Sequence, residues 1–554
     1  MNAHEIKTVD AVVAHSTAVL DEAHIGDIHG AFGSIPLQSG QIRRSSMQRL
    51  KTLLAIVGPG LIVMVGDNDA GAFSTYTQAG QDYGISLLWT LLFLVPVLYV
   101  NQEMVLRLGV VTGVGHARLI FERFGRFWGA FSVIDLFVLN ALTLVTEFIG
   151  ITMGLDYLGI SRPMGVTLAV VVLLLAVSTG SFRRFERFAL LLVGGSLLLV
   201  PLFVMVHPPL LSLGRYLLMP QLPQGKLSDI MLLIIAIVGT TIAPWQLFFQ
   251  QSYVIDKRIT PAFMKYEIAD LWLGIFIVVL GAAAMMGFSA QAFAGHPEAG
   301  HFQDVTAVAR GLQRFAGPTA GVLFALALID ACIIGAAAVS LSTAYALGDV
   351  FSVRHSLHRK PAEAKGFYLF YSFLVVLAAA LVLTPGVPLG LLTNLVQSLA
   401  GVLLPSATVF LLLLCNDRQV LGPWVNTTFT NVFTALVIAV LVMLSVILTA
   451  AVLFPDMTDQ QIIGILLGCI VLAIVLSVGA HLYDRRHRHT RVNLELLLAT
   501  SAEDKSSWRM PPVSVLQPNQ LTVLDRVWMG VLRLYLVVAA GMILVKLVRA
   551  VLVH

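Results

Sequence analysis

The chain carries a series of apolar stretches of membrane-spanning length. A helix needs about 20 mainly apolar residues to cross a hydrocarbon core about 30 Å thick. The stretches cover residues 53–80, 85–106, 128–153, 164–177, 188–206, 230–253, 268–293, 318–347, 367–383, 389–415, 429–454 and 462–482. With 57% hydrophobic and 12% charged residues, the composition lies far outside the range of soluble proteins. The sequence therefore predicts an all-α polytopic membrane protein with about twelve helices.

Basic residues predict how these helices are oriented, because lysine and arginine are enriched in cytoplasmic loops. They cluster in alternate loops, at Arg118, Arg123 and Arg126, at Arg183, Arg184 and Arg187, at Lys257, Arg258 and Lys265, at Arg354, Arg359, Lys360 and Lys365, and at Arg485, Arg486, Arg488 and Arg491. We therefore expect a multi-pass protein of the inner cell membrane with a cytoplasmic amino terminus.

The chain divides into four regions. Residues 1–50 are polar and lack the order of a signal peptide, which predicts a cytosolic, partly disordered tail. Residues 51–483 predict the transmembrane domain, and residues 484–520 predict a cytosolic basic linker. In residues 521–554, two basic residues bracket an apolar run that is shorter than a span usually needs. This last region is predicted either to lie at the interface or to form a tilted thirteenth helix.

Several functional classes find no support in the sequence. The net charge of +4 is too small for a nucleic-acid-binding surface, and the three cysteines have no paired spacing for disulfides or a thiolate metal site. Neither a zinc-protease His-Glu-x-x-His motif nor a Walker phosphate loop occurs. We therefore predict no enzyme activity, no cofactor and no nucleic-acid partner, and expect a monomer whose partner is the lipid bilayer.

The first apolar stretch is interrupted by residues 66–72, which read Gly-Asp-Asn-Asp-Ala-Gly-Ala. A carboxylate at bilayer depth costs several kcal/mol unless it faces protein or water, so it indicates function. Glycine, asparagine and aspartate also disfavour a continuous helix. We therefore predict two half-helices with free carbonyls between them beside Asp67 and Asp69, an arrangement that binds cations in secondary transporters.

A second interruption lies in the sixth stretch, where residues 239–246 read Gly-Thr-Thr-Ile-Ala-Pro-Trp-Gln. Pro244 lacks a backbone donor and suits the first position of a new half-helix. An ordinary proline kink is the simpler interpretation. Corresponding breaks in two halves of a chain, however, indicate inverted repeats that share a site at the midplane.

The side chains around both breaks favour a hard cation. They offer carboxylates, amides, hydroxyls and carbonyls, and no His, Cys or Met. Oxygen ligands suit magnesium, calcium and manganese. Asp69 is predicted to bind the ion directly, whereas Asp67 is equally consistent with a ligand or a vestibule charge. Gln397 is predicted to bind the ion or a water, and Glu147 and Asp330 are left open as a proton path, a counter-charge or vestibule residues.

Several motifs along residues 53–482 resemble the Nramp family of divalent-metal transporters. They are residues 58–60 (Gly-Pro-Gly), 69–72 (Asp-Ala-Gly-Ala), 78–80 (Gln-Ala-Gly), 107–113 (Arg-Leu-Gly-Val-Val-Thr-Gly), 239–241 with Pro244, Gln397 before Pro405, and 422–426. The resemblance implies a LeuT-type fold of two inverted five-helix repeats with extra carboxyl-terminal helices, in which helices 1 and 6 are broken at the midplane. It also implies alternating access.

The departures from the family pattern concern the metal ligands. The family's Asp-Pro-Gly-Asn reads Asp-Ala-Gly-Ala here, and its Met-Pro-His-Asn reads Ala-Pro-Trp-Gln. The resemblance therefore implies that Ala72 and Ala243 replace an Asn and a Met ligand, a pattern similar to the Nramp-related magnesium transporters. At the two positions where the resemblance implies histidines associated with proton coupling, this chain has Trp245 and Gln250. At the position of an acid in helix 3 it has Leu144.

The sequence thus predicts uptake of Mg²⁺, and also of Mn²⁺, without proton coupling. The predicted metal site comprises Asp69 and the Thr240 carbonyl, with Asp67 and Gln397 in the outer set and with Ala72 and Ala243 at altered ligand positions. The alternative is a classical proton-coupled Mn²⁺ or Fe²⁺ importer. An amino-acid carrier is disfavoured because a carboxylate at the break repels the substrate carboxylate. An intramembrane aspartyl protease is suggested only by residues 66–67.

Overall fold

The computed structural model describes residues 22–36, 45–384, 389–454, 457–475 and 510–516, with single positions beyond residue 478. The helices are α1 Ser46–Ile56, α2 Pro59–Val65, α3 Ala70–Tyr83, α4 Trp89–Thr112, α5 His116–Phe124, α6 Arg126–Tyr157, α7 Arg162–Ser178, α8 Phe182–Gly195, α9 Leu199–Val206, α10 Leu210–Leu218, α11 Leu227–Thr241, α12 Pro244–Asp256, α13 Met264–Phe293, α14 Val305–Ala316, α15 Pro318–Val350, α16 Lys365–Leu383, α17 Leu389–Cys415, α18 Arg418–Leu421 and α19 Thr428–Leu453.

These helices follow the predicted apolar stretches. Within the described residues, eight segments are long and apolar enough to cross a membrane, and α1 with α2, bent by 50°, makes a ninth. Shorter apolar helices, Arg162–Ser178, Leu403–Cys415 and Asp459–Val475, cover the remaining stretches. The region 521–554 lies mostly outside the described residues, so neither prediction for it is tested.

Both predicted breaks are present. In the first stretch α2 ends at Val65 and α3 begins at Ala70, with four residues between them outside any helix. In the sixth stretch α11 ends at Thr241 and α12 begins at Pro244, which occupies the first helical turn as predicted. In the sixth stretch, Pro244 therefore begins a new helix after two non-helical residues, within one span from Leu227 to Asp256.

The broken helices lie at the centre of the bundle. Every residue of α2 and of α12 is buried. Helices α2 and α3 pack on α13, α12 packs between α4 and α15, and α15 also packs along α6. This placement has a physical reason: irregular backbone at membrane depth is tolerated only where protein or a water-filled cavity surrounds it.

Part of the amino-terminal region, which the sequence predicts to be a partly disordered tail, is ordered. Residues 28–30 and 33–35 form a two-stranded antiparallel hairpin, β1 Ile28–Gly30 and β2 Gly33–Ile35, with Ile28 opposite Ile35. Both isoleucines are buried. The polar composition concealed this element because only a few apolar residues anchor it.

Helices α2 and α13 meet at backbone distance through two glycines. A β-carbon at Gly60 would lie 2.7 Å from the backbone nitrogen of Leu271, and one at Gly274 would lie 2.7 Å from the Gly60 carbonyl oxygen. Small residues of this kind let membrane helices approach closely, so that dispersion contacts hold them together. The half-helix leading to Asp69 is therefore fixed against α13.

Gly60→Ala should destabilise the protein, because the added methyl group meets backbone atoms that cannot rotate away. Overpacking costs about 1–3 kcal/mol, so we expect a lower melting temperature of the purified protein. Gly194→Ala in α8 is the matched control, since its methyl group meets no described atom within 4 Å. Equal melting temperatures for the two variants would contradict the close packing of α2 on α13.

Candidate metal site

The first break is organised by the carboxylate of Asp69, which caps α3. Asp69 Oδ1 accepts the N–H of Ala72 at 2.9 Å, and Glu147 Oε2 accepts the N–H of Ala70 at 3.3 Å. In a continuous helix these two N–H groups would pair with the carbonyls of Asn68 and Gly66. Both carbonyls are therefore released from helical bonding beside the buried carboxylates.

The second break releases carbonyl oxygen by a different route. The Thr240 carbonyl would pair with the N–H of residue 244, and Pro244 has none. The Thr240 hydroxyl is also buried and has no hydrogen-bond partner among the described residues. Thr240 thus contributes two buried oxygen atoms that protein donors leave available.

Hydrogen bonds between buried side chains link the two breaks. Gln246 of α12 donates to Asp67 Oδ1, and Gln102 of α4 donates to Gln246 at 3.0 Å. On α3, the Tyr76 hydroxyl lies 2.7 Å from the Thr241 hydroxyl. The second oxygen of Asp67 is buried and lacks a partner within the described part of the chain. The unwound segments are therefore held at a fixed distance with spare acceptor capacity between them.

Glu147 of α6 brings another carboxyl group to the first break. Its side chain is fully buried and accepts the Ala70 N–H through Oε2, while Oε1 has no hydrogen-bond partner among the described residues. A β-carbon at Gly335 of α15 would lie 3.1 Å from it, so glycine there makes the room that Glu147 needs. The sequence raised Glu147 only as a buried acid of open role, because nothing in its own stretch places it beside Asp69.

The sequence match covers most of the membrane domain. Residues 60–451 match the family described as natural resistance-associated macrophage protein-like, or Nramp. The chain belongs to the Nramp family. The earlier resemblance is thereby confirmed at the family level, although the match does not distinguish the magnesium branch.

Relatives of this Nramp protein are about one quarter identical to it over the aligned residues. The divalent metal cation transporter MntH of Yersinia enterocolitica is 25% identical over 428 residues, which is 72% of this chain and 96% of the relative. MntH of Pectobacterium carotovorum is 28% identical over 312 residues, which is 52% of this chain and 71% of that relative.

A solved structure confirms the predicted LeuT-type fold. The manganese transporter of Eremococcus coleocola, in complex with an aromatic bis-isothiourea substituted compound, is similar with a TM-score of 0.60 at 20% identity. The similarity covers 81% of this chain and 99% of that chain.

Two motifs that carried the Nramp resemblance touch each other. Arg107 of α4 donates to the side chain of Asn426 at 2.6 Å and to the Trp424 carbonyl. Arg107 also pairs with Glu103 at 3.0 Å. The arginine fixes the loop before α19 against α4, which is a structural role away from the two breaks.

The predicted site residues fall into two groups. Asp67, Asp69 and Ala72 lie in and after the first break, and Thr240 and Ala243 lie at the second, all of them buried. Gln397 lies in α17, but its side chain is outside the described part of the structure. Among described residues, no three His, Cys, Asp or Glu side chains converge as a metal cluster. Carbonyl, hydroxyl and water oxygens would therefore have to complete the coordination of an ion.

One histidine that contacts α12, His116, is held neutral. His116, at the start of α5 outside the spanning segments, donates from Nδ1 to the Gln251 side chain at 2.9 Å and packs edge-on against Phe248. Burial lowers its pKa to about 4, despite the hydrogen bond to Gln251, which acts in the opposite direction. His116 is therefore uncharged at cellular pH, and it does not replace the histidines that the family carries in helix 6.

Gln246→Leu should destabilise the protein, because it leaves Asp67 and Gln102 buried without their partner. An unsatisfied buried group costs about 1–3 kcal/mol, and more when it is charged. Gln250→Leu, one turn further along α12, is the matched control. Both amide atoms of Gln250 lack a partner among the described residues, so leucine there should be neutral or stabilising. Melting temperatures in the opposite order would contradict the role of Gln246 as the link between the breaks.

Proposed function

We propose that this chain takes up divalent metal cations by alternating access, chiefly Mg²⁺ and also Mn²⁺, without proton coupling. The observation that carries the proposal is the all-oxygen character of the two breaks. Asp69 supplies charge, the carbonyls of residues 66, 68 and 240 supply neutral oxygen, and neither residues 66–72 nor residues 239–246 include a His, Cys or Met. Such a donor set suits hard cations.

The two alanines favour the magnesium branch of the family. Ala72 and Ala243 occupy positions at which the family resemblance implies an asparagine and a methionine ligand, and neither can bind a metal through its side chain. Losing the thioether removes the preference for softer transition metals. The smaller side chains leave room for water, and Mg²⁺ gives up its water reluctantly. In this proposal Asp69 binds the ion, with Asp67, Gln397 and waters around it.

The membrane potential suffices as the driving force. Moving one elementary charge through 100 mV is worth about 2.3 kcal/mol, so a divalent cation gains about 4.6 kcal/mol. The proposal places the protein in the inner cell membrane as a monomer, with the amino terminus and the basic loops in the cytoplasm. The ion is the cargo, and no resident cofactor is involved.

A proton-coupled Mn²⁺ or Fe²⁺ importer is the second candidate. The position of Glu147 favours it, because this fully buried carboxyl group lies on the N–H of Ala70, next to Asp69, and a carboxyl group can carry a proton. A dication arriving at Asp69 would then displace that proton. The relatives named divalent metal cation transporter MntH also favour this second candidate.

Ion influx into proteoliposomes, recorded together with internal pH, separates the candidates. We expect Mg²⁺ and Mn²⁺ influx without acidification, and loss of influx in Asp69→Ala because the charged ligand is gone. Asp330→Asn is the matched control, since Asp330 of α15 lies against Gly195 rather than at either break. Mn²⁺ influx with acidification and without any Mg²⁺ signal would overturn the proposal in favour of the second candidate.

Restoring the family ligands tests the proposed selectivity. In the double variant Ala72→Asn with Ala243→Met, we expect the ratio of Mn²⁺ to Mg²⁺ influx to rise by roughly tenfold or more, because a thioether favours the transition metal. Phe32→Met, at an exposed position of the hairpin far from both breaks in sequence, controls for an added methionine. An unchanged ratio would show that these alanines do not set the selectivity.

A further inference from the structure

The amino-terminal hairpin is docked on the membrane domain beside the bend between α1 and α2. Ile28, Ala31 and Ile35 are buried to 3%, 1% and 1% exposure, whereas Phe32 at the tip is 61% exposed. The strands pack on α1 and on α8. The hairpin thus makes a specific apolar contact with the membrane domain.

Three arginines hold the hairpin by its backbone carbonyls. Arg183 of α8 donates to Gly30 at 3.1 Å, and Arg187, one turn later, donates to Ala31 at 2.9 Å. Arg258, which follows α12, donates to the Ala23 carbonyl at 2.7 Å and 3.0 Å and to that of Asp27 at 3.1 Å. Guanidinium groups with several fixed donors suit a row of carbonyls. The ends of α8 and α12 therefore form a docking surface for an extended segment.

A buried ion pair joins this hairpin to the bend. Lys257 Nζ lies 2.6 Å from Glu186 Oε1, and both side chains are fully buried. Lys257 also donates to the carbonyls of Ile56 and Val57, where α1 ends. Glu186 accepts the N–H of Ala31 at 2.5 Å. The ion pair between Lys257 and Glu186 thus connects α8 to the end of α12, and its two side chains also hydrogen-bond to the hairpin and to the end of α1.

The fit leaves no space at two glycines. A β-carbon at Gly30 would lie 1.8 Å from the Ala55 carbonyl oxygen, and one at Gly58, where φ is +155°, would lie 2.3 Å from Glu186. Gly33, which pairs with Gly30 in the hairpin, is less constrained, since a β-carbon there would lie 3.2 Å from the Ala55 β-carbon. The docked position therefore depends on Gly30 in particular.

We propose that residues 22–36 are an intramolecular latch, docked on the surface formed by Arg183, Glu186, Arg187, Lys257 and Arg258, and that it must detach before the α1–α2 bend can move. Any movement of α1 away from α8 breaks the carbonyl contacts of Lys257 or pulls the hairpin with it. The docking is independent of which ion is carried. Only the consequence for opening rests on the proposed transport cycle.

Labelling of a buried cysteine tests the docking. The probe is Ile35→Cys in a Cys469→Ser background, because Cys332 and Cys415 are fully buried, and the reagent is a polar maleimide applied to full-length protein in nanodiscs. We expect slow labelling, since the reagent must wait for local opening. With Gly30→Ala, or with Arg183→Gln and Arg187→Gln together, we expect labelling to be roughly tenfold faster or more.

Two matched controls belong to this measurement. Gly33→Ala introduces the same methyl group across the hairpin with more room, and Arg184→Gln removes an exposed arginine between the two that bind carbonyls. Both should leave the labelling rate unchanged within about twofold. The latch is overturned if Ile35→Cys reacts as fast as Phe32→Cys in the parent, or if Gly30→Ala labels no faster than Gly33→Ala.

A disulfide between the latch and α1 tests its effect on opening. Cysteines at Gly33 and Ala55 would have β-carbons 3.2 Å apart, near the range of about 3.5–4.5 Å found in disulfides. We expect oxidation to abolish Mg²⁺ influx and reduction to restore it, while each single variant is insensitive to oxidant. Influx that persists after quantitative oxidation would overturn the gating role. Absence of influx for both Mg²⁺ and Mn²⁺ even in the unmodified protein would instead sink the proposed function, and the labelling result would still decide the docking.

Discussion

A broken helix can cross a bilayer only if other protein groups replace the hydrogen bonds that the break removes. This requirement governs the centre of the molecule. At the first break, the carboxylates of Asp69 and Glu147 take over N–H groups of α3, and at the second break Pro244 has no N–H to be satisfied. The donors are thus paired, whereas several carbonyls are left over. A membrane interior that contains spare carbonyl oxygen beside carboxylates is suited to a cation.

The same requirement explains why so many polar side chains lie in the core. Gln246 joins Asp67 to Gln102, and Tyr76 joins α3 to Thr241. Each of these groups would cost free energy if it were buried alone. Together they link the two unwound segments through side-chain hydrogen bonds. Charged groups pair with the backbone at the other end of α2, near its bend with α1. There Asp270 accepts the N–H of Gly60, and Lys257 donates to the carbonyl of Val57.

Under the proposed function, the residues at positions 72 and 243 change what this shared architecture binds. Alanine at both positions is compatible with the backbone of the breaks, at which α3 and α12 begin. Cargo and fold are then independent, since the fold is set by the breaks and their packing. Glu147 places a second carboxyl group next to Asp69, and a carboxyl group can carry a proton. The two candidate functions therefore differ most in whether metal transport is coupled to protons, rather than in the class of ion.

Much of this protein follows from its sequence. The length of the apolar stretches predicted the helices. Glycine, aspartate and proline at bilayer depth predicted both breaks, because the backbone preferences of these residues are local and do not depend on partners. The sequence could not place Glu147 beside Asp69 or pair Gln246 with Asp67, since these contacts join residues 78 and 179 positions apart. It also did not predict the hairpin at residues 28–35 within the partly disordered tail, because the hairpin is held by Arg183, Arg187 and Glu186 rather than by its own composition. Local chemistry thus determined where the chain breaks, and only the tertiary structure decided what each break faces, because side chains from distant helices supply the partners.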